Sequence, residues 1–450
     1  MYTKSLLCSV ALFALLAQPA TARPQPRIQN LLNGKFLHVT DIHIDPTYLN
    51  GSDPKKLCHR MGSTKHNTAG VYGAVGTKCD SPVSLVEAAF GFMHKNIQDI
   101  DFIIYTGDTA RHNAGERNCQ NEYDRDKAAP RTVAEVLSDH KAIVNYFHTN
   151  YDTNRIKFIP TLGNNDEFVH DLITYGTQAL LTNLTELWKP FNLNLGETFA
   201  KGGYYTQDIL PGKLQVININ TMFFSTANTL VQDCDVAGSA GAIELQWIEK
   251  NLLVARKGKY NVYLMGHIPP TDDKGVVAYY PACYTSYVNI LGEYSDVIVG
   301  HFTGHTNDDM LSLIVRSKAT GNYSLVPLTA DAPTINLTAN SIMTVLNNAP
   351  SIIPANNPAM RVYNYNTNLK EFGALTDYVQ YYTDLNADNA AGTVTWQTEY
   401  SASKAYGLKG LSVEDYTGLV KGFQQPGSST WDSYVSFLHV STVKAEKSKV

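Results

Sequence analysis

Residue types that bind metals follow a series of apolar runs along the chain. They are Asp41 and His43 in DIHID, Asp108 in TGDTARHN, Asn164 in LGNND, His267 in MGHIPP, and His305 and Asn307 in GHTND. Each group alone is more often structural, but together they supply the oxygen and imidazole ligands of divalent ions. Two such ions about 3.5–4 Å apart can hold the attacking and leaving oxygens of a phosphoryl displacement. The ordered set therefore predicts a two-metal site for phosphate chemistry.

The apolar runs have the length and the β-branched and aromatic content of buried strands. They are FLHVT from residue 36, DFIIYT from 101, KFIPTL from 157, LQVININ from 214, NVYLM from 261 and SDVIVG from 295. Helical patterns lie between them, in SPVSLVEAAFGFMHKNI from 81, TVAEVLSDHKAIVNYFH from 132 and IELQWIEKNLLVA from 243. The first helix is expected to have Ser81 as its N-cap and Pro82 at its first helical position. The alternation predicts an α/β fold, a layered βαβ sandwich with its site at the carboxyl ends of the strands.

The ordered motifs resemble the calcineurin-like metallophosphoesterases, and among them the acid sphingomyelinase-like and endopolyphosphatase branch. The resemblance runs from about Lys35 to near Val443 and includes GTKCDSP, NTLVQDCD, YVQYYTDLN and WQTEYSASKAYGL. It implies a first metal held by Asp41, His43 and Asp108, and a second held by Asp108, Asn164, His267 and His305. It also implies that His112, four residues after Asp108, is an active-site histidine.

Two positions depart from the commoner family pattern and resemble the fungal endopolyphosphatases, whose motifs read Gly-Asn-Asn-Asp and Gly-His-x-Asn. Asn165 stands where a catalytic histidine is usual, and its amide cannot serve as a general acid. We expect it to donate a hydrogen bond to a phosphoryl oxygen, and His112 to protonate the leaving oxygen or stabilise its charge. Asn307 stands where a second histidine would bind the first metal. An amide oxygen there favours harder ions such as Mn²⁺ or Mg²⁺, with Zn²⁺ left open.

The resemblance implies an endopolyphosphatase that cleaves inorganic polyphosphate internally. The alternative is an acid sphingomyelinase-like phosphodiesterase acting on soluble phosphodiesters, nucleotides or sphingomyelin. A third interpretation, a glycosylated binding protein with a weakened metal site, has only Asn165 and Asn307 in its favour. The formal net charge of -5 gives no argument for nucleic-acid binding, and no phosphate loop, dinucleotide fingerprint or Gly-x-Ser-x-Gly motif is present. The sequence does not indicate an oligomeric state.

The amino-terminal segment has the form of a secretory signal, predicted to span residues 1–22. Lys4 precedes the apolar run from Leu6 to Ala17, and Ala20-Thr21-Ala22 offers a cleavage site. An uncleaved anchor is the alternative, and no later run is long and apolar enough to cross a membrane. Sequons begin at Asn50, Asn183, Asn322 and Asn336. These features predict a secreted or vacuolar glycoprotein.

Cysteine usage agrees with an oxidising compartment. Six cysteines are present and Cys8 lies in the signal. We favour the pairs Cys58–Cys79 and Cys234–Cys283, which leaves Cys119 free or paired between chains. A metallophosphoesterase domain is expected over residues 35–345, a smaller C-terminal subdomain over 346–443 and a disordered tail over 444–450.

Overall fold

Two sheets carry the strands that precede the predicted ligands. The computed structural model describes residues 32–112, 131–331 and 333–442. Across these ranges the first sheet has six strands, in the order β15 (Gln397–Ser401), β14 (Leu375–Tyr382), β13 (Ala359–Tyr365), β1 (Lys35–Val39), β4 (Phe102–Tyr105) and β5 (Lys157–Pro160). The second has seven, in the order β11 (Tyr323–Pro327), β10 (Met310–Ser317), β12 (Asn340–Asn348), β9 (Ile298–Thr303), β8 (Asn261–Met265), β7 (Leu214–Asn218) and β6 (Tyr205–Leu210). A short ribbon pairs β2 (Ile44–Asp45) with β3 (Ser81–Pro82). The predicted α/β sandwich is confirmed.

Helices connect and cover these strands. They are α1 (Val83–Asn96), α2 (Val133–Asn150), α3 (Ala179–Leu187), α4 (Gly196–Gly202), α5 (Ala240–Gly258), α6 (Pro281–Glu293), α7 (Leu385–Ala391), α8 (Ala402–Tyr406), α9 (Val413–Phe423) and α10 (Ser429–Leu438). Shorter 3₁₀ turns span Pro54–Lys56, Lys189–Phe191 and Thr221–Phe223. No helix in the described ranges has the length and apolarity needed to cross a membrane.

An aromatic core lies between the two sheets. Phe36 on β1 is fully buried and stacks on Phe102 at a centroid distance of 4.6 Å and on Tyr363 at 5.0 Å. From the other sheet, Phe302 meets Phe36 edge-on at 5.5 Å, and Tyr263 lies at 5.4 Å. Such aromatic pairs bury large areas and prefer these stacked and edge-on geometries. The core therefore fixes the two sheets against each other beneath the site.

The start of α1 differs from the prediction. Ser81 is not an N-cap, because it belongs to β3, where its main-chain N–H donates to the carbonyl of His43 at 3.0 Å. Pro82 takes the N-cap position, without a side-chain capping bond, and the helix begins at Val83. The tertiary bond thus outweighs the capping preference of serine, and it fixes the start of α1 against the loop that carries His43.

Residues after 340 contribute strands to both sheets. β12 lies between β10 and β9, and β13 pairs antiparallel with β1, the strand that precedes Asp41. The boundary expected near residue 345 falls inside β12. The C-terminal segment therefore supports the strands from which the ligand loops emerge.

The disulfides are those favoured from the sequence, Cys58–Cys79 and Cys234–Cys283. The asparagines of all four sequons are exposed. Cys119, the expected signal sequence over 1–22 and the expected tail over 444–450 lie outside the described residues.

Removing the Cys58–Cys79 bridge is expected to destabilise the protein. The bridge joins cysteines with a sequence separation of 21. A disulfide that closes a loop of this length raises the free energy of unfolding by about 3 kcal/mol. The double variant Cys58→Ser/Cys79→Ser should therefore unfold at a lower temperature than the wild type, as measured by calorimetry. An unchanged unfolding temperature would show that neighbouring contacts hold this loop without the bridge.

Candidate metal centre and active site

The predicted ligands lie in loops that leave one edge of the sandwich. Strands β1, β4 and β5 are parallel, as are β7, β8 and β9, so the carboxyl ends of each set point the same way. The ligand loops of the two sheets also bond to each other: the His305 N–H donates to Asp41 Oδ2 at 2.9 Å. Most of the ligands are buried, and His305 and Asn307 are half-buried. The structure thus brings residues from five strand ends to one place.

The ligand side chains form two groups that share Asp108. In the first group, His43 Nε2 lies 3.6 Å from Asp41 Oδ1 and 3.2 Å from Asp108 Oδ2. In the second, His267 Nε2 lies 3.2 Å from Asp108 Oδ2, and Asn164 Oδ1 lies 2.9 Å from both His267 Nε2 and His305 Nδ1. In each group the ligand atoms of the aspartates and histidines lie within 4.8 Å of one another. A carboxylate common to two such groups fits a dinuclear centre, in which two ions lie close together.

Outer hydrogen bonds orient these ligands. The Nδ1–H of His43 donates to the carbonyl of Ala110 at 2.9 Å, and that of His267 donates to the carbonyl of Thr106 at 2.7 Å. These bonds direct the Nε2 atom of each ring into the site. Asn164 donates its Nδ2 to His170 Nε2 at 2.7 Å, which turns the amide oxygen towards the two imidazoles. These bonds therefore hold His43, His267 and Asn164 with their predicted ligand atoms facing the site.

Backbone strain is concentrated in the ligand loops. Five predicted ligands have φ between 43° and 71°, a range that side chains other than glycine rarely adopt; they are Asp41, His43, Asp108, His305 and Asn307. The loops also approach each other closely: a Cβ on Gly163 would lie 2.1 Å from Asp108 Oδ1. Strain of this kind persists where function requires a fixed geometry and the surrounding fold enforces it.

The electrostatics of the site favour a bound cation. Burial lowers the pKa of His267, but Asp108 and Asp41 outweigh it and raise the pKa to about 9. Burial also raises the pKa of Asp108, and the neighbouring His267 and His43 hold it well below its usual range. Asp41 Oδ1 and Asn307 Oδ1 are buried without a hydrogen-bond partner among the described residues. Buried carboxylates and unpartnered oxygens of this kind fit divalent metal ions.

His112 lies at the edge of the first group and is held by Asp80. Its ring stacks on His43 at a centroid distance of 4.1 Å, and its Nδ1–H donates to Asp80 Oδ1 at 2.6 Å. The main-chain N–H of His112 donates to Asp80 Oδ2 at 2.9 Å. Burial raises the pKa of Asp80, but His112 outweighs it and lowers the pKa below its usual value. This bond leaves Nε2 of His112 available to a substrate.

Asn165 contacts the shared carboxylate. Its main-chain N–H donates to Asp108 Oδ1 and its Nδ2 donates to Asp108 Oδ2, both at 2.8 Å. Both oxygens of Asp108 are thereby fixed. The amide group expected to reach a phosphoryl oxygen bonds to Asp108, a predicted metal ligand, in this structure.

Asp80 and His170 were missed by the sequence reasoning. Asp80 follows Cys79 in the motif GTKCDSP, and its acidic type beside a disulfide cysteine was the available signal. His170 lies six residues after Asn164, and no pattern in the sequence singled it out.

The site has the ligand composition of a dinuclear metal-dependent hydrolase. The chain matches the family described as calcineurin-like phosphoesterase over residues 34–308. It matches the family described as acid sphingomyelin phosphodiesterase C-terminal region over residues 336–448. The chain belongs to the calcineurin-like phosphoesterase family.

Three curated relatives represent the two kinds of similarity found. The chain is 32% identical over 310 residues to an endopolyphosphatase of Cryptococcus neoformans. The matched region covers 62% of this chain and 43% of that protein. It is 30% identical to sphingomyelinase phosphodiesterase C of Dictyostelium discoideum, over 85% of this chain and 80% of that protein. It is 28% identical to a cyclic GMP-AMP phosphodiesterase of Homo sapiens, over 94% of this chain and 85% of that protein. The chain thus spans less than half the length of the endopolyphosphatase and most of the length of the other two.

Replacing Asp80 with asparagine is expected to lower kcat about tenfold, because an outer partner that orients an active-site histidine contributes about 10- to 100-fold. The amide preserves the shape of Asp80 and removes its charge. Bound metal, measured by elemental analysis, should remain at the wild-type level, since no predicted metal ligand bonds to Asp80 in the described residues. An unchanged kcat would show that His112 needs no orientation from Asp80.

Proposed function

We propose that this protein is a two-metal hydrolase of phosphoanhydride and phosphoester bonds that cleaves inorganic polyphosphate internally. Asp41, His43, Asp108 and Asn307 would hold one ion, and Asp108, Asn164, His267 and His305 the other. When bound, the two ions supply the positive charge and the activated water that phosphoryl displacement requires.

The observation that carries the polyphosphate assignment is the contact between Asn165 and Asp108. The position where a proton donor is usual in the family is occupied by Asn165, whose main-chain N–H donates to one oxygen of Asp108 and whose side-chain amide donates to the other. A site with one fewer acid suits a leaving group that is already a stable anion, such as a phosphate chain. An alkoxide leaving group depends more on protonation. The match to the endopolyphosphatase of Cryptococcus neoformans supports the same substrate.

The residues of the chain have distinct tasks in this proposal. Asn165 fixes both oxygens of Asp108, the carboxylate that would contribute to holding both ions. Asp80 holds the Nδ1 proton of His112, so that Nε2 faces the leaving oxygen and stabilises its charge or donates a proton to it. The carbonyl partners of His43 and His267 keep those rings in the tautomer that binds metal.

A second candidate is a phosphodiesterase acting on soluble diesters or nucleotides. It is favoured by the extent of the match to the human cyclic GMP-AMP phosphodiesterase, which covers most of both chains. The same metal ligands would act, and His112 would carry more of the catalysis because an alkoxide departs.

Turnover of alternative substrates tests the choice. Metal-reconstituted protein is assayed with long-chain polyphosphate, bis-p-nitrophenyl phosphate and a nucleoside triphosphate. Shortening of the polyphosphate on gels before free phosphate accumulates supports internal cleavage. Cleavage of the diester or nucleotide with polyphosphate untouched supports the second candidate. Failure on all three would favour a binding protein.

The secretory pathway is the proposed route, ending outside the cell or in a vacuole. The disulfides, the exposed sequons and the signal-like amino terminus support it. Detection of N-glycans on protein expressed in a eukaryotic host tests this route.

A further inference from the structure

The buried guanidinium of Arg131 joins the two loops that carry His112 and Asn165. Its Nη1 donates to the carbonyls of Arg111 and Asn165, both at 2.8 Å, and its Nη2 donates to the carbonyl of Glu167. Arg131 is only 8% exposed. One side chain thus donates hydrogen bonds to carbonyls of the loop after β4 and of the loop after β5.

Asp166 joins the same two loops through groups of the opposite polarity. Its carboxylate accepts from the main-chain N–H groups of Asp108 at 3.0 Å, Thr109 at 2.7 Å and Gly163 at 2.7 Å. These donors include a predicted metal ligand and the residue next to Asn164. Asp166 therefore holds the parts of the loops that carry metal ligands.

The carbonyls bound by Arg131 lie further along each loop. Arg111 directly precedes His112, and Asn165 is the residue whose side-chain amide donates to Asp108. The planar guanidinium offers several donors in a fixed geometry, whereas a lysine ammonium cannot match three carbonyls in the same way. Without this cation, two carbonyls from different loops would lose the donor that they share.

We propose that Arg131 is a positioning residue: by holding the carbonyls of Arg111 and Asn165, it fixes the position of His112 relative to Asn165. Asp166 fixes the loop segments that carry the predicted metal ligands. The inference rests on the proposed function, since it is there that His112 acts on the leaving oxygen and Asn165 fixes the carboxylate of Asp108. Arg131 and Asp166, each with its main-chain partners, form two neighbouring clamps. The Arg131 clamp governs turnover, and the Asp166 clamp governs metal retention.

The variants Arg131→Lys, Arg131→Ala and Asp166→Asn separate these properties. Both Arg131 variants are expected to keep the wild-type metal content, with KM within about twofold and kcat lowered about 10- to 100-fold. Asp166→Asn is expected to lose bound metal. Arg155→Ala is the matched control, because Arg155 is exposed and donates to the carbonyl of Gln98 at 3.2 Å, away from the site.

Guanidinium provides a readout that general destabilisation would not give. At concentrations well below those that unfold the wild type, it should restore part of the kcat of Arg131→Ala and raise the unfolding temperature of that variant, because it refills the vacated position. Methylammonium should do neither. Arg155→Ala should show no gain from either compound.

Metal loss in parallel with kcat in Arg131→Lys, or the absence of any guanidinium effect on Arg131→Ala, would overturn the proposal. Failure of both Arg131 variants to fold would also overturn it, by making the clamp a requirement of folding. Turnover is followed on bis-p-nitrophenyl phosphate as well as polyphosphate, so failure of the polyphosphate assignment alone leaves this test intact. If neither substrate is turned over by the wild type, the proposed function fails, and metal content and guanidinium-dependent stabilisation still report on the clamp.

Discussion

Asp108→Asn is expected to lose at least one bound metal ion and to lower kcat about 10³-fold or more. Among the residues that the structure describes, Asp108 is the one side chain common to both ligand groups, and its Oδ2 lies 3.2 Å from both His43 Nε2 and His267 Nε2. An amide removes the negative charge that two divalent ions would share. Metal-derived stabilisation of the transition state is worth several kcal/mol, and a loss of about 4 kcal/mol corresponds to about 10³-fold. Elemental analysis and turnover of polyphosphate by the same preparations measure both effects.

Asp99→Asn is the matched control for Asp108→Asn. Asp99 is an exposed aspartate that pairs with Lys35, outside both ligand groups. Its variant should keep both the metal content and the activity of the wild type. Full activity in Asp108→Asn would contradict a shared bridging carboxylate, and equal losses in the two variants would point to a general effect of removing charge.

His112→Gln is expected to affect the two substrate classes unequally. For a dinucleoside phosphate, a diester whose leaving group is a sugar alkoxide, loss of an acid that assists the leaving oxygen should lower kcat about 10²-fold or more. For polyphosphate, the leaving chain is a stable anion, so the loss should stay below about tenfold. The nonbonded stacking on His43 also makes His112 separable from the metal ligands, and bound metal should not change. Parallel kinetics on both substrates measure the ratio.

His148→Gln is the control, because His148 lies near the end of α2 and bonds to Thr153, away from the ligand groups. It should leave both activities unchanged. Equal losses on both substrates in His112→Gln would contradict the argument that leaving-group chemistry compensates for the amide at position 165. Unchanged kinetics on both would remove His112 from the reaction.

The meeting of the predicted ligands at one edge could be foreseen from the sequence, because each predicted ligand lies a few residues beyond the end of a strand. Asp41, His267 and His305 each lie two residues beyond the end of a strand, and parallel strands bring such positions to one edge. Apolar content marked the strands, and glycines marked the turns. The sandwich and the meeting of the loops could be predicted for the same reason, since both follow from local signals repeated along the chain.

The contacts that orient the site could not be predicted, because they join residues distant in sequence without a periodic pattern. Asp80 reaches His112 across a sequence separation of 32, and Arg131 reaches the carbonyl of Arg111 across a separation of 20. The direction of the Asn165 amide depends on where Asp108 lies in three dimensions. The capping prediction at Ser81 was wrong for a similar reason, since a main-chain bond to His43 took priority.

Anomalous scattering from crystals of the manganese-loaded protein tests the central claim most directly. The expected result is two peaks about 3.5–4 Å apart, one beside Asp41, His43 and Asn307, the other beside Asn164, His267 and His305, with Asp108 between them. A single peak, or two peaks that do not share Asp108, would contradict the dinuclear site on which the proposed function depends.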